Sequence, residues 1–91
     1  MHIVSRKAIR TFCEKHSDAS NALEHWYRVA KRATWESFPE VKQSFNTVDF
    51  VAPRVVFDIG GNKWRIIANI AFKSEIVYIT WIGTHAEYEA L

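Results

Sequence analysis

A chain of 91 residues that is 48% hydrophobic and 14% aromatic fits a single domain, residues 1–91, and is too short for a second one. Its net charge of +2, from 12 Lys and Arg against 10 Asp and Glu, does not by itself indicate a nucleic-acid-binding protein. The only cysteine, Cys13, excludes an internal disulfide, the histidines show no metal-ligand spacing, and no signal or membrane-spanning pattern is present, so a cytoplasmic protein without metal or cofactor is expected.

The first third of the chain is predicted to form one short strand and two helices. Residues 2–4 have the pattern of a strand, and Ser5 is placed to cap a helix that runs to about Lys15. Asp18 is placed to cap a second helix, whose apolar residues recur at three- and four-residue steps from Ala19 to Ala33. Both helices are therefore amphipathic, with one side suited to a core.

The pattern changes to β-type in the second half. Ser37 stands three residues before Glu40, which predicts a capping box and one short helix. From Arg54 onward, β-branched and aromatic runs are separated by Gly60-Gly61 and by Ser74-Glu75. Such runs and breaks predict a three-stranded antiparallel meander.

A second capping signal lies at the C-terminal end. Gly83 is predicted to stop the last strand, and Thr84 stands three residues before Glu87, so a short helix is expected to begin near His85. The elements together predict an α+β fold: an antiparallel sheet, made of the short N-terminal strand and the meander, packed on two N-terminal helices and followed by a short C-terminal helix.

The first hairpin is predicted to have one apolar and one basic face. A two-residue turn at Gly60-Gly61 would place Asp58 opposite Lys63 and Phe57 opposite Trp64. The apolar side chains would then face the helices, and the other face would carry Arg54, Lys63, Arg65, Asn69 and Lys73. A two-residue turn at Ser74-Glu75 would add Val77, Ile79 and Trp81 to the core face, and Tyr78 and Thr80 to the polar face. A basic face of this kind suits an anion with several phosphates.

Four side chains on or near this face are candidates for chemistry. Arg65 can clamp a phosphate from an open strand face, or it can be a surface arginine paired with a carboxylate. Lys63 can contribute charge, or simply pair with Asp58. His85 can act as a general acid or base, or be an ordinary first-turn residue. Tyr88 can contact a phosphate or a base, or anchor the last helix.

Three segments resemble the HigB toxins, a branch of the RelE/ParE superfamily found in bacterial type II toxin–antitoxin systems. They are WY..AK.A.W at Trp26–Trp35, GNKWR at Gly61–Arg65 and GTHAEY at Gly83–Tyr88. The resemblance implies a RelE-like fold and a metal-independent endoribonuclease that cleaves mRNA during translation on the ribosome. It also implies a HigA-like antitoxin with a helix-turn-helix, in a complex such as a heterotetramer.

The resemblance also suggests roles for individual residues. It implies that Arg65 stabilises the phosphate in the transition state, that His85 or Tyr88 transfers a proton, and that Lys63 assists. Substrate binding is predicted for Arg54 and Lys73, and also for Asn69 and Tyr78, which are assigned to the same polar face. One position departs from the common pattern: this chain reads YITWIGTH, so Thr80 stands where relatives often carry a basic residue, and the face has one charge fewer.

Two other functions stay open at this point. One is a RelE-like domain without nuclease activity, acting as a binding module or as a gyrase poison. The other is a DNA-binding helix-turn-helix made by the N-terminal helices, although the second helix directs its regular stripe to the core and presents few side chains for reading bases.

Overall fold

The computed structural model describes residues 1–91 and contains one five-stranded sheet with four α-helices. The strands are β1 (His2–Val4), β2 (Asp49–Val51), β3 (Arg54–Ile59), β4 (Trp64–Ala71) and β5 (Ile76–Thr84), and the helices are α1 (Arg6–Lys15), α2 (Ser20–Arg32), α3 (Phe38–Ser44) and α4 (His85–Glu89). The strand order is β1-β5-β4-β3-β2. The predicted α+β class is confirmed.

The sheet is mixed rather than purely antiparallel. Strands β3, β4 and β5 form the predicted antiparallel meander, but β1 lies parallel to β5 and pairs only with Ile76–Tyr78. The outer edge of β5 beyond Tyr78 therefore has no neighbouring strand. Strand β2, only three residues long, pairs with β3 at the opposite edge; its short sequence did not predict a strand.

The helix starts follow the sequence in one case and depart from it in another. The hydroxyl of Ser5 accepts a hydrogen bond from the backbone N–H of Ala8 and caps α1, as predicted. Asp18 does not cap α2, because Ser17–Ala19 forms a 3₁₀ turn that leads directly into it. The turn continues into the α-helix, so α2 begins without a side-chain cap.

The two predicted capping boxes also differ. In α4 the box is complete: the Glu87 N–H donates to the Thr84 hydroxyl at 3.1 Å, and the Thr84 N–H donates to a Glu87 carboxylate oxygen at 2.8 Å. In α3, the side chain of Ser37 makes no hydrogen bond to the helix backbone. The Glu40 carboxylate instead accepts from the Ser37 hydroxyl at 3.5 Å and from the Glu36 N–H at 3.4 Å. Helix α3 is therefore present, but its predicted capping box is not formed.

The core lies between one face of the sheet and helices α1 and α2. Phe57 of β3 is fully buried, and its ring meets Trp26 of α2 edge-on at 5.2 Å and Phe45 at 5.4 Å between centroids. Leu23 and Ile66 are also fully buried in the same cluster. Burial of apolar area at about 25 cal/mol per Å² is the main stabilising term for such a core.

Both turns of the meander are longer than predicted. Ile59 pairs with Trp64 at the end of the first hairpin and Ala71 pairs with Ile76 at the end of the second, so each turn contains four residues, and Asp58 pairs with Arg65. The predicted pairing of Asp58 with Lys63 is wrong. Since the register of the first hairpin is displaced by two positions, each of its side chains keeps its predicted face. Positive φ angles at Gly60, Gly61 and Asn62 allow the longer first turn.

A β-bulge at Thr80 changes the second half of β5. Ala68 pairs with Ile79, whereas the preceding residue, Ile67, pairs with Trp81, so Thr80 is the extra residue. Val77 and Ile79 face the core as predicted, but Trp81 lies on the opposite face, in the same row as Ile67. The prediction that Trp81 is a core residue is wrong, because an inserted residue reverses every later side chain in the strand.

Gly83 lies inside β5 rather than ending it, and its position requires the absence of a side chain. A Cβ at this position would overlap the indole ring of Trp81. We expect Gly83→Ala to lower the stability by about 1–3 kcal/mol through overpacking, with a change in near-UV circular dichroism as the indole moves. An unchanged unfolding midpoint for Gly83→Ala would contradict this account.

Candidate functional site

Arg65 is the buried centre of the candidate site. It lies on the sheet face opposite α1 and α2, beneath α4, and is only 7% exposed. Its Nε donates to a carboxylate oxygen of Asp58, its partner across the strand pair, at 2.9 Å. The sequence predicted an open basic face, but the guanidinium is enclosed because α4 and the β3–β4 turn close over it.

Every N–H of the Arg65 guanidinium has an acceptor. One terminal nitrogen, Nη2, donates to the side-chain oxygen of Asn62 at 2.6 Å and to Nδ1 of His85 at 2.7 Å. The other, Nη1, makes longer bonds to the backbone carbonyls of Asn62 (3.5 Å) and Trp64 (3.4 Å). With Asp58 on Nε, the planar fork is held on all sides.

His85 connects this arginine to the last helix. Since a guanidinium only donates, Nδ1 of His85 must be the acceptor, and the ring proton is assigned to Nε2 by this network. Nε2 lies 3.3 Å from a carboxylate oxygen of Glu89, one turn further along α4. The backbone N–H of His85 donates to the carbonyl of Lys63 at 2.9 Å. The start of α4 is thereby fixed to the turn that carries Lys63.

Tyr88 forms an aromatic wall beside the guanidinium. Its ring centroid lies 5.5 Å from Cζ of Arg65, and 6.2 Å from the ring of Trp81. A cavity of about 330 Å³ opens between Arg65, Asp58 and Tyr88 on one side and Lys42 and Asp49 on the other. A small anion or part of a nucleotide can therefore approach the arginine from this side.

The structure brings only some of the sequence-predicted residues together. Arg65 is hydrogen-bonded to His85 and lies beside the ring of Tyr88. The side chain of Lys63 is exposed in the adjoining turn, and Arg54 shares a cavity of about 310 Å³ with Tyr88.

The other three predicted residues lie further away. Asn69 and Tyr78 face each other across β4 and β5, about 13 Å along the strand from Arg65 at 3.3 Å per residue. Lys73 lies in the β4–β5 turn and lines a cavity with Trp35 and Glu36. The predicted basic face is therefore dispersed along the sheet.

Three contributors to the site were not selected from the sequence. The sequence predicts Asp58 only as an ion-pair partner of Lys63 or Arg65, a pairing that the structure shows with Arg65, and it does not point to Asn62 or Glu89. Asn62 follows two glycines and has φ of +78°, a conformation that asparagine tolerates better than most residues. Glu89 stands four residues after His85 on a helix, which is a contact spacing. Both signals are present in the sequence, but only the structure shows that they converge on Arg65.

The site is made of a guanidinium, an imidazole and a phenol. No group of three or more His, Cys, Asp or Glu side chains in the chain is arranged to hold a metal ion.

None of the four helices has the length and apolar character needed to cross a membrane.

Glu87 makes the start of α4 sensitive to acid. The backbone N–H of Thr84 holds the pKa of this carboxyl below its ordinary value, helped by the Thr84 hydroxyl and by the charges of His16 and Lys15, while desolvation opposes the shift. A lowered pKa in the folded state stabilises the fold above the unfolded value of about 4.3, and this contribution is lost as the pH falls through the lowered pKa.

We therefore expect Glu87→Gln to lower the melting temperature at pH 6, and the difference from the unchanged protein to shrink at pH 3. Thermal unfolding followed by circular dichroism at both pH values measures this. An equal difference at the two pH values would show that ionised Glu87 does not stabilise the fold.

The combination of fold and site defines a RelE-like class of domain, in which a small sheet carries N-terminal helices on one face and a short C-terminal helix beside a buried arginine on the other. Residues 19–91 match the family model HigB_toxin, described as the RelE-like toxic component of a toxin–antitoxin system. The chain belongs to this family, and the resemblance that the sequence motifs predicted is confirmed.

Full-length relatives agree with this assignment. The chain is 33% identical over 94 residues to the mRNA interferase HigB of Escherichia coli O6:H1 (strain CFT073), an alignment that covers 100% of this chain and 91% of the relative. It is 27% identical over 92 residues to the mRNA interferase toxin HigB of Escherichia coli K12, covering 98% and 88%.

Proposed function

We propose that this protein is the toxin of a type II toxin–antitoxin system and that it cleaves mRNA during translation on the ribosome, without a metal ion. The observation that carries the proposal is the full-length similarity to relatives named mRNA interferases. The contact of Arg65, His85 and Tyr88 supports it, because these groups can stabilise charge and move protons. A HigA-like antitoxin with a helix-turn-helix would silence the toxin, in a complex such as a heterotetramer, and both would act in the cytoplasm.

The proposed reaction is attack of a ribose 2′-hydroxyl on the neighbouring phosphate. The bond from phosphorus to O2′ forms, the bond to O5′ breaks, one proton leaves O2′ and one is delivered to O5′. Negative charge accumulates on the phosphate oxygens in the transition state. Arg65 is the group placed to stabilise that charge, because its guanidinium lines the cavity beside Tyr88.

A phosphate can reach Arg65 only by replacing one of its present acceptors. His85 is the acceptor that we propose it replaces, because Nδ1 is uncharged and accepts from Nη2, whereas Asp58 is an ion-pair partner at Nε. Once displaced, Nδ1 of His85 is free to accept the proton of the 2′-hydroxyl. Arrival of the scissile phosphate would thus release the group that starts the reaction.

The remaining roles follow from position. Tyr88, in contact with Arg65, has a hydroxyl that can donate a proton to the leaving oxygen, and the exposed ammonium group of Lys63 adds positive charge at the adjoining turn. Arg54 shares a cavity with Tyr88 and is placed to bind the RNA strand nearby. Asn69, Tyr78 and Lys73 lie further along the sheet and can contact only more distant parts of an RNA or of the ribosome.

Primer extension on mRNA from expressing cells tests the proposal. Expression of the protein is expected to create new 5′ ends inside a translated reporter message, and none in the same message without its start codon. Absence of new ends in the translated message would overturn the nuclease assignment. Equal ends in both messages would overturn ribosome dependence, and incubation of purified protein with naked RNA in EDTA would then test metal independence.

One observation favours a second candidate, a RelE-like toxin that acts by binding, including the gyrase-poison type. Arg65 is neutralised by Asp58 and all its N–H groups are occupied, which is also what a purely structural ion pair would look like. A gyrase poison would produce DNA breaks without new mRNA ends, so the same expression experiment separates the two.

A further inference from the structure

A groove outside the Arg65 site lies between helix α1 and strand β5. It has a volume of about 430 Å³. Lys7, Thr11 and Lys15 line it from the helix, and Thr80 and Trp81 line it from the strand. None of its ten lining residues is acidic, although the chain as a whole contains 10 Asp and Glu. The groove is thus a local concentration of amines, hydroxyls and aromatic surface.

The two lysines are placed to meet separate anionic groups. Lys7 and Lys15 are both exposed, and eight residues at 1.5 Å each put their positions about 12 Å apart along α1. Neither forms an ion pair with a carboxylate within 4.0 Å. A chain of phosphates that follows the groove could therefore contact both.

Two aromatic side chains, Trp81 and Tyr88, lie between the groove and the candidate site. Trp81 lines the groove and its ring lies 6.2 Å from that of Tyr88, which itself lies 5.5 Å from Cζ of Arg65. The β-bulge at Thr80 creates this connection, because it turns Trp81 away from the core. Without the bulge, no aromatic ring would link the groove to Tyr88.

We infer that the groove between α1 and β5 binds the single-stranded RNA next to the cleavage site, with Lys7 and Lys15 on its phosphates and Trp81 against a base. This inference rests on the proposed nuclease function. Positive grooves with aromatic platforms are the usual way in which proteins hold single strands. It also supplies a substrate path that the dispersed Arg54, Asn69, Lys73 and Tyr78 do not provide.

An extended peptide is the competing occupant, because the outer edge of β5 beyond Tyr78 has no strand partner and such an edge can accept a strand. RNA is favoured because Lys7, Thr11 and Lys15 give the helix side of the groove two cations and a hydroxyl group, although half of the ten lining residues, including Ala8 and Phe12, are hydrophobic. The contact between Trp81 and Tyr88 also points the groove toward the catalytic cluster.

Binding of a short single-stranded 2′-O-methyl RNA tests the inference, because the blocked 2′-oxygen prevents cleavage. Fluorescence anisotropy is measured over a range of salt concentrations for the unchanged protein and for Lys7→Gln/Lys15→Gln. The double variant is expected to bind at least about tenfold more weakly at low salt. Its log Kd against log salt slope should be smaller by about 1.4, since each lost phosphate contact on a single strand removes about 0.7.

The matched control is Arg28→Gln/Arg32→Gln, which removes the same charge from exposed positions on α2. It should keep the salt slope of the unchanged protein. Equal weakening by both double variants, or no weakening by Lys7→Gln/Lys15→Gln, would overturn the inference.

Hydrogen exchange distinguishes RNA from a peptide strand. In one outcome, the antitoxin protects the Ile79–Ile82 amides while Lys7→Gln/Lys15→Gln leaves RNA binding unchanged. These two results together would assign the groove to the protein partner and overturn the RNA inference. The two proposals also fail separately. RNA binding that depends on the groove, without new mRNA ends in cells, would overturn only the nuclease function, whereas mRNA cleavage without dependence on the groove would overturn only the present inference.

Discussion

Arg65→Ala is expected to abolish growth arrest and to reduce mRNA cleavage by at least about a hundredfold, the usual effect of removing one group that stabilises transition-state charge. The guanidinium has no nearby substitute, because Asp58 and the side-chain oxygen of Asn62 accept from Arg65 and not from the side chains of Lys63 or Arg54. Colony formation under induction, and primer extension on a translated message, measure the two effects.

Folding must be checked in the same variant. Removal of Arg65 leaves the Asp58 carboxylate, whose side chain is 30% exposed, without its partner, so some loss of stability is expected. Circular dichroism at the assay temperature shows whether the variant is folded. Arg28→Ala, at an exposed position on α2, controls for the loss of one positive charge and should remain toxic.

Arg65→Lys gives a sharper result, because it keeps the charge but not the planar fork. An ammonium group cannot bond Asp58, Asn62 and His85 in the observed geometry. We expect nearly the same loss of cleavage as with alanine. Full activity of a folded Arg65→Lys protein would show that the fork geometry does not matter, and a toxic, folded Arg65→Ala protein would remove Arg65 from the mechanism.

Phe57→Ala is expected to be the most destabilising single substitution, costing about 3–5 kcal/mol. The ring is completely buried between Trp26 and Phe45, and its removal leaves a cavity that two large aromatic rings cannot fill. Since small domains are stable by only about 5–15 kcal/mol, we expect most of the variant to unfold on mild heating. Urea unfolding followed by circular dichroism measures the difference.

Phe50→Ala is the matched control, because it removes the same ring from the edge strand β2, where Phe50 is 52% exposed. Its only aromatic neighbour is Phe38 at 5.5 Å, and we expect a loss of no more than about 1 kcal/mol. Similar losses for the two variants would show that the core is not centred on Phe57.

The faces of the first hairpin could be predicted from the sequence because side chains alternate in a strand. Even a wrong turn length left Phe57 in the core and Arg65 on the other face, since the error was two residues and parity was preserved. The complete capping box of Thr84 and Glu87 was predictable for a similar reason, because it depends only on a local spacing.

Features that depend on contacts distant in sequence could not be predicted. The bulge at Thr80 arises in the pairing of β5 with β4, where the Thr80 hydroxyl donates to the carbonyl of Ile67 at 3.1 Å, and no local pattern marks it. The closure of Arg65 also needs α4 to lie against the β3–β4 turn. The sequence therefore identified the central arginine but not its enclosure.

The fully occupied guanidinium has a consequence for the search for inhibitors. In the free protein, the charge that would attract a phosphate mimic is already matched by Asp58, and Nη2 is taken by Asn62 and His85. A screen of the isolated protein would then underestimate the affinity of anionic compounds, because each compound must first displace the imidazole of His85 from Arg65. A compound that presents a neutral nitrogen acceptor to Nη2 would take the place of His85. It would replace the lost hydrogen bond with one of the same kind.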